Sequence, residues 1–249
     1  MSILNLAAYR FWPIDDPLAV RLSLLEQGAA LGVLGTVLVT PEGLNAFLAG
    51  EEAPCRAMLE VLRGVPGFAS LEAKESWSDS MPFKRFKVKL KREIIRMDHP
   101  TIRPVLGRAP AVDAQTLARW LDQGHDDDSR PVVLLDTRND FEVDHGRFAG
   151  TLDWRIRRFT EFPSALTQHR EALQGKTVVT YCTGGIRCEK AALFMQELGV
   201  DHVLQLDGGI LKYFEQTDGR HFEGRCFVFD ERQSLEPDLS PARADEVIR

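Results

Sequence analysis

The segment YCTGGIRCEKA, Tyr181–Ala191, decides how the second half of the chain folds. It follows the apolar, β-branched run GKTVVT, which is typical of a strand buried in a parallel sheet. After it comes a helical pattern that ends at Gly199. Residues 182–187 therefore join the end of a strand to the start of a helix, with Cys182 at the mouth of the turn. Open α/β sheets bind their ligands at this end of the strands.

The composition of this turn favours a negatively charged group at Cys182. Two adjacent glycines allow backbone angles that other residues resist, so successive N–H groups can point into one concavity. A helix N-terminus adds positive potential there, which predicts a lowered pKa for an exposed Cys182 thiol. Arg187 is predicted to be catalytic together with Cys182, by bracing the loop or by supplying a cation. The rest of the active-site loop is Thr183, Gly184, Gly185 and Ile186.

Three further residues are predicted to support the loop. Cys188 shares a helix face with Ala191 and Met195, which predicts packing in the core, with a resolving thiol as the alternative. Asp136 ends the buried strand PVVLLD and Arg138 follows it; the two are predicted to form a structural ion pair beside the loop rather than to act as acid–base catalysts.

The order of helical and strand patterns predicts two α/β domains. Residues 1–98 read as β-α-β-β-α-β, a ferredoxin-like α+β unit. Residues 99–112 carry prolines and little periodicity and are predicted to be a linker. Strands alternate with helices over 113–219, which predicts a parallel sheet, and 220–249 form a C-terminal extension.

Composition excludes several classes of protein. The chain has 249 residues, a net charge of −6 and four scattered cysteines, which argues against a generally basic nucleic-acid coat and against a disulfide scaffold. No apolar run could span a bilayer and the start does not resemble a signal peptide, so we expect a cytoplasmic protein with no membrane contact. The six scattered histidines predict no metal site, no nucleotide fingerprint indicates an organic cofactor, and no obligate protein partner is inferred.

Two segments combine basic and aromatic residues, as sites for single-stranded RNA do. The first is KRFKVKLKRE, 84–93, and the second is WRIRRF, 154–159. The alternative for the first is an ordinary edge strand with lysines on its solvent face. The predicted RNA-binding residues are Lys84, Arg85, Lys87, Lys89, Lys91, Arg155, Arg157 and Arg158.

The motifs resemble a known family. CTGGIR resembles the six-residue active-site loop of rhodanese proteins, with Cys182 as nucleophile, and LLDTRNDFEVDHGRFAG resembles their Asp-x-Arg element followed by Glu142 and Gly146. The related Cdc25-type phosphatases have one more residue in the loop, which argues against phosphatase activity. A larger set, spread over most of residues 30–232, is similar to the bacterial tRNA uridine hydroxylase family. It comprises TPEGLNAFLAG, FKRFKVKLKREI, DTRNDFE, FTEFP, YCTGGIRCEKA, DGGILKYFE and GRCFVFDER.

This resemblance implies an acylphosphatase-like domain followed by a rhodanese-like domain. It implies an enzyme that converts the wobble uridine of tRNA to 5-hydroxyuridine, with molecular oxygen as co-substrate, the tRNA anticodon region as partner and the loop cysteine required. Two alternatives stay open. One is a sulfurtransferase that forms a Cys182 persulfide, and the other is a binding module that has kept an inert loop.

Overall fold

The computed structural model describes residues 2–242, which divide into two compact units. The first unit contains residues up to Arg96 together with Asp230–Arg232. It is one five-stranded sheet in the order β4-β1-β3-β2-β5, in which only the β2–β5 pair is parallel. Its elements are β1 (Ile3–Phe11), α1 (Pro17–Leu31), β2 (Leu34–Thr40), β3 (Gly43–Gly50), α2 (Glu52–Arg63), β4 (Ala73–Ser78) and β5 (Phe86–Leu90).

Local sequence explains where these elements begin. The Asp16 carboxylate accepts a hydrogen bond of 2.9 Å from the Ala19 N–H and Pro17 occupies the first helical position, so α1 starts where its N-cap satisfies the free amides. The strand–helix order confirms the predicted α+β fold, with β5 as an added edge strand. The Asp230–Arg232 segment also belongs here, because the Glu231 N–H donates to the Pro82 carbonyl at 3.2 Å.

The second unit holds a parallel sheet in the order β6-β10-β9-β7, which confirms the predicted architecture. β9 lies inside this sheet, between β10 and β7, and every one of its residues is buried. The elements up to the sheet's last strand are β6 (Ala111–Val112), α3 (Ala114–Gln123), β7 (Val132–Asp136), α4 (Asp140–Val143), β8 (Gly146–Phe148), α5 (Phe162–His169), β9 (Thr177–Tyr181), α6 (Ile186–Glu197) and β10 (Val203–Leu206).

The remaining elements are α7 (Gly209–Gln216), β11 (Phe222–Gly224), β12 (Cys226–Phe227) and β13 (Ser234–Leu235). The predicted C-terminal extension thus supplies β11, which pairs antiparallel with β8, and the β12–β13 hairpin. The predicted linker, 99–112, is also ordered within this unit, because β6 adds to the parallel sheet beside β10. A two-residue strand flanked by proline is too short for periodicity to reveal.

Candidate active site

The Cys182 loop connects β9 to α6, as the sequence predicts. Gly185 has φ 97°, a left-handed conformation that favours glycine, and it caps α6. The expectation of an exposed thiol is wrong, because Cys182 is only 1% exposed. The loop folds back over its own sulfur, and the Gly185 N–H donates to Cys182 Sγ at 3.1 Å.

The start of α7 closes the site from one side. The N–H of Ile210 donates to the Cys182 carbonyl at 3.0 Å, and that of Leu211 donates to the Thr183 carbonyl at 3.1 Å. Gly209 has φ +68°, and a Cβ there would collide with the Cys182 carbonyl oxygen and the Gly185 nitrogen. The loop can therefore approach α7 this closely only because residue 209 is a glycine, a role that sequence reasoning missed.

The surroundings of Cys182 stabilise its thiolate. Burial alone would raise the pKa of Cys182, but a hydrogen bond from the Cys188 thiol, the positive charge of Arg187 and the backbone N–H groups of Arg187 and Gly185 outweigh burial. The net effect lowers the pKa of Cys182 below the ordinary value for a cysteine, to about 6. A lowered pKa favours the ionised form near neutral pH, so the site is suited to hold a thiolate nucleophile.

Cys188 is the protonated partner in this pair. It is completely buried, in agreement with the predicted core position, and its Sγ lies 3.8 Å from the Thr137 hydroxyl oxygen. Burial and the neighbouring Cys182 thiolate raise the pKa of Cys188, so its proton stays on and can be shared with the Cys182 sulfur. The Cys188 side chain therefore both packs in the core and stabilises the Cys182 thiolate.

Arg187 is braced by a buried carboxylate. Its two terminal nitrogens donate to Glu142 Oε1 and Oε2 at 2.7 and 2.8 Å, and Glu142 is fully buried. The Asn139 N–H donates to the same carboxylate at 3.1 Å, which closes a capping box on α4. Because both terminal nitrogens of Arg187 bind Glu142, Arg187 acts on Cys182 through its positive charge and its backbone N–H.

Asp136 and Arg138 form a second buried ion pair. Both side chains are completely inaccessible, with Arg138 Nη2 at 2.6 Å from Asp136 Oδ2 and at the same distance from the Gly146 carbonyl oxygen. The guanidinium also lies over the Tyr181 ring, 5.8 Å from its centroid. These contacts tie the end of β7 to β8 and β9, which suits a structural support and leaves neither group accessible for proton transfer.

The predicted basic strand keeps only part of its pattern. β5 ends at Leu90, which is 43% exposed although the alternation predicts it to face the core with Val88. Lys87 is half-buried, and Phe86 packs closely against Gly28 of α1, so its ring is not an open platform. Leu90 is exposed because β5 is an edge strand, which neighbours only β2 in the sheet. The exposed basic side chains of this segment are Lys84, Arg85, Lys89, Lys91 and Arg92.

The second basic cluster is exposed but partly neutralised. Arg155 pairs with Asp144 at 2.6 Å and with Asp153 at 3.1 Å, while Arg157 and Arg158 are exposed. The Trp154 ring stacks on His169 with centroids 5.4 Å apart, so it is engaged within its own domain.

Residues 2–242 contain neither a membrane-spanning helix nor a metal-binding cluster. None of their helices combines the length and apolar character needed to cross a membrane. Among the same residues, no group of three or more His, Cys, Asp or Glu side chains has the arrangement of a metal site.

The fold and loop define a class of protein. Residues 3–94 match the family model described as the UPF0176 acylphosphatase like domain, and residues 113–216 match the Rhodanese-like domain. The chain is therefore a two-domain protein in which an acylphosphatase-like unit precedes a rhodanese unit.

Its full-length relatives narrow the class to one family. The chain is 61% identical, over 100% of its length and 94% of the relative's, to the tRNA uridine(34) hydroxylase of Variovorax paradoxus. It is 59% identical to the protein of that name from Bordetella petrii, over 98% of this chain and 96% of the relative's. The protein of that name from Burkholderia vietnamiensis is 55% identical, over 98% of this chain and 87% of the relative's. The chain belongs to the tRNA uridine(34) hydroxylase family.

Proposed function

We propose that this protein hydroxylates uridine 34, the wobble position of tRNA, to 5-hydroxyuridine, with molecular oxygen as co-substrate and Cys182 as nucleophile. The observation that carries the proposal is the buried Cys182 sulfur, which Gly185, Arg187 and Cys188 together stabilise as a thiolate. Relatives of 55–61% identity that carry the hydroxylase name support the choice of substrate.

The chemistry needs a nucleophile because C5 of uracil does not react with oxygen unaided. In the proposed first step the Cys182 thiolate adds to C6, which moves an electron pair to C5 and O4 as an enolate. C5 then bonds to one atom of O2, and protonation gives a C5 hydroperoxide. A two-electron donor of the thiol class reduces this to the C5 alcohol and water. Loss of the C5 proton with cleavage of the C6–S bond gives 5-hydroxyuridine and restores the thiolate.

The chain's own residues prepare the first step. The thiolate is present before substrate arrives, and the Glu142 carboxylate holds the Arg187 charge beside it. We assign Arg187 as a positioning residue. Because Cys182 is 1% exposed, a base must leave its stack and enter the loop to meet the sulfur. A single-stranded anticodon loop presents its bases in this way more readily than a duplex does.

The test combines nucleoside analysis with isotope labelling. Purified protein, tRNA from cells lacking it and a thiol reductant are incubated under 18O2, and the digested nucleosides are analysed by mass spectrometry. We expect one 18O atom in 5-hydroxyuridine with wild type and none of this product with Cys182→Ala. Label arriving from water, or an active Cys182→Ala protein, would contradict the proposal.

A second candidate function is sulfur transfer, favoured by the same two amides around the Cys182 sulfur. A persulfide at Cys182 would bring a second negatively charged sulfur into this donor-rich loop. Incubation with thiosulfate and cyanide measures it directly. Rapid thiocyanate formation without labelled 5-hydroxyuridine would make sulfur transfer the primary activity.

A further inference from the structure

We propose that three phenylalanine rings beside the loop, Phe141, Phe227 and Phe229, form a stacking site for the nucleobase next to the target uridine. The inference rests on the proposed function for the identity of the RNA. The centroids of Phe141 and Phe227 are 5.2 Å apart, those of Phe227 and Phe229 are 5.1 Å apart, and each pair meets edge to face. We call these three residues the phenylalanine cluster.

The cluster is open to solvent to an unusual extent. Phe141 is 42% exposed and Phe229 is 54% exposed, and their centroids are 6.3 Å apart. Among the residues that the structure describes in the second unit, the only other large apolar side chain this exposed is Leu106, which is not aromatic. Two adjacent phenyl rings left in water forfeit hydrophobic stabilisation that a bound apolar surface would restore.

The cluster is joined to the active-site loop at two points. Phe141 is adjacent in α4 to Glu142, whose carboxylate binds Arg187 at the end of the loop. The Phe227 carbonyl accepts a hydrogen bond of 3.3 Å from the Thr183 hydroxyl within the loop. The rings therefore lie on surface continuous with the loop that must receive the target base.

This continuity identifies the occupant. A uridine drawn into the buried Cys182 loop is separated from its stacking partners, so the neighbouring nucleotide loses a stacked face and lies over the surface beside the loop. Aromatic side chains receive such bases without regard to sequence, because every base has a π-face. The edge-to-face arrangement, with interplanar angles of 87–88°, turns adjacent rings in different directions and leaves the exposed rings available.

The aromatic residues within the two basic segments, Phe86, Trp154 and Phe159, are engaged elsewhere. Trp154 stacks on His169, and Phe86 packs against Gly28. Among the described residues of the second unit, the phenylalanine cluster is accordingly the exposed aromatic surface that can serve an unstacked base. The chemistry it would recognise is a neutral, flat heterocycle rather than a phosphate.

The experiment uses the full chain and an RNA stem-loop that carries the anticodon loop. Two probes carry 2-aminopurine, because the fluorescence of this base falls when it stacks. In one probe it replaces the base on the 3′ side of uridine 34, and in the other it replaces the base on the 5′ side. We expect wild type to quench one of the two probes. Phe229→Ala and Phe141→Ala should each remove the quenching and weaken binding by about 5-fold to 100-fold, the range of one aromatic–base stack.

Matched variants separate stacking from general damage. Phe229→Trp should preserve quenching, whereas Phe229→Leu keeps an apolar side chain and should lose it. Leu106→Ala removes an 80% exposed apolar side chain from the same unit and should change neither quenching nor affinity. Thermal unfolding monitored by circular dichroism identifies any variant that fails to fold. If the alanine variants fail to fold, the stacking site is tested instead by comparing the quenching by Phe229→Leu with that by Phe229→Trp.

Three outcomes would overturn the stacking site. They are the absence of quenching by wild type with either probe, unchanged quenching and affinity in the phenylalanine variants, and a change in oligomeric state without a change in RNA binding, which would indicate self-association. Labelled 5-hydroxyuridine formation by wild type is measured separately. If wild type hydroxylates uridine and the phenylalanine variants keep their quenching and affinity, the stacking site alone is refuted. If quenching depends on the phenylalanine rings but wild type forms no 5-hydroxyuridine, the proposed activity alone is refuted.

Discussion

Replacing Cys188 by alanine tests whether its thiol holds the Cys182 thiolate in place. The change removes the hydrogen bond that Cys188 gives to Cys182 and leaves Arg187 and the loop amides unchanged. A hydrogen bond to a charged group contributes about 1.5–3 kcal/mol, and a thiol is a weak donor, so the lower end applies. Since one pKa unit corresponds to about 1.4 kcal/mol, the pKa of Cys182 should rise by about one, from about 6 to about 7.

The pH dependence of Cys182 alkylation by iodoacetamide measures this change. At pH 7 the ionised fraction should fall from about 90% in wild type to about 50% in Cys188→Ala, so the rate should drop about twofold and the midpoint should move to higher pH. Cys182→Ala identifies the alkylated residue by mass spectrometry. Cys55→Ala, a buried cysteine in the first unit, serves as control and should leave the midpoint unchanged.

Two results would refute this reasoning. An unaltered midpoint in Cys188→Ala would show that the second thiol does not stabilise the thiolate. A wild-type midpoint near 8.5, the value of an ordinary cysteine, would show that the loop does not activate Cys182 at all. Hydroxylation should persist in Cys188→Ala at a rate that follows the thiolate fraction.

Glu142→Gln leaves the buried Arg187 charge unpaired and should lower the free energy of unfolding by about 3–5 kcal/mol in urea, whereas a loss below about 1 kcal/mol would contradict the buried pair. Because the pKa of Cys182 is lower in the folded than in the unfolded chain, its stabilising contribution is complete above about pH 8.5 and disappears as the pH falls through about 6. The stability difference between wild type and Cys182→Ser should therefore shrink over that window, and a constant difference would argue against a thiolate. Gly209→Ala should reduce hydroxylation and stability together, since its Cβ meets the loop backbone, and a native-like variant would contradict the close approach. Charge reversal at Lys89 and Lys91 should flatten the dependence of log affinity for tRNA on log salt by about 0.7–0.9 per lost phosphate contact, and an unchanged slope would exclude both residues from the RNA site.

Much of the architecture could be predicted because it depends on local pattern. The continuous apolar run before Tyr181 predicts a buried parallel strand, and Asp16 with Pro17 predicts the start of α1. Both are decided by residues next to one another in the chain. The two-residue strand β6 was assigned to a linker because it has too few residues for any periodicity and owes its conformation to β10.

Predictions for side chains were less complete, since they depend on what packs against them. The alternation in β5 predicted Leu90 to be buried, but the strand ends there at the edge of its sheet. WRIRRF suggested an aromatic platform at Trp154, which instead stacks on His169. Phe141 and Phe229 lie far apart in sequence and in separate motifs, so no spacing rule brings them together.

The sequence by itself determined the two domains, the strand–loop–helix around Cys182 and the family, because each depends on residue order over short stretches. Only the tertiary structure decided that Cys182 is buried, that Glu142 neutralises Arg187 and that the Cys188 thiol hydrogen-bonds to the nucleophile. The physical reason is that a pKa depends on burial and on charges brought together through space. Glu142 and Arg187 are 45 residues apart along the chain, and they meet only when β7, β9 and the segments that follow them pack side by side.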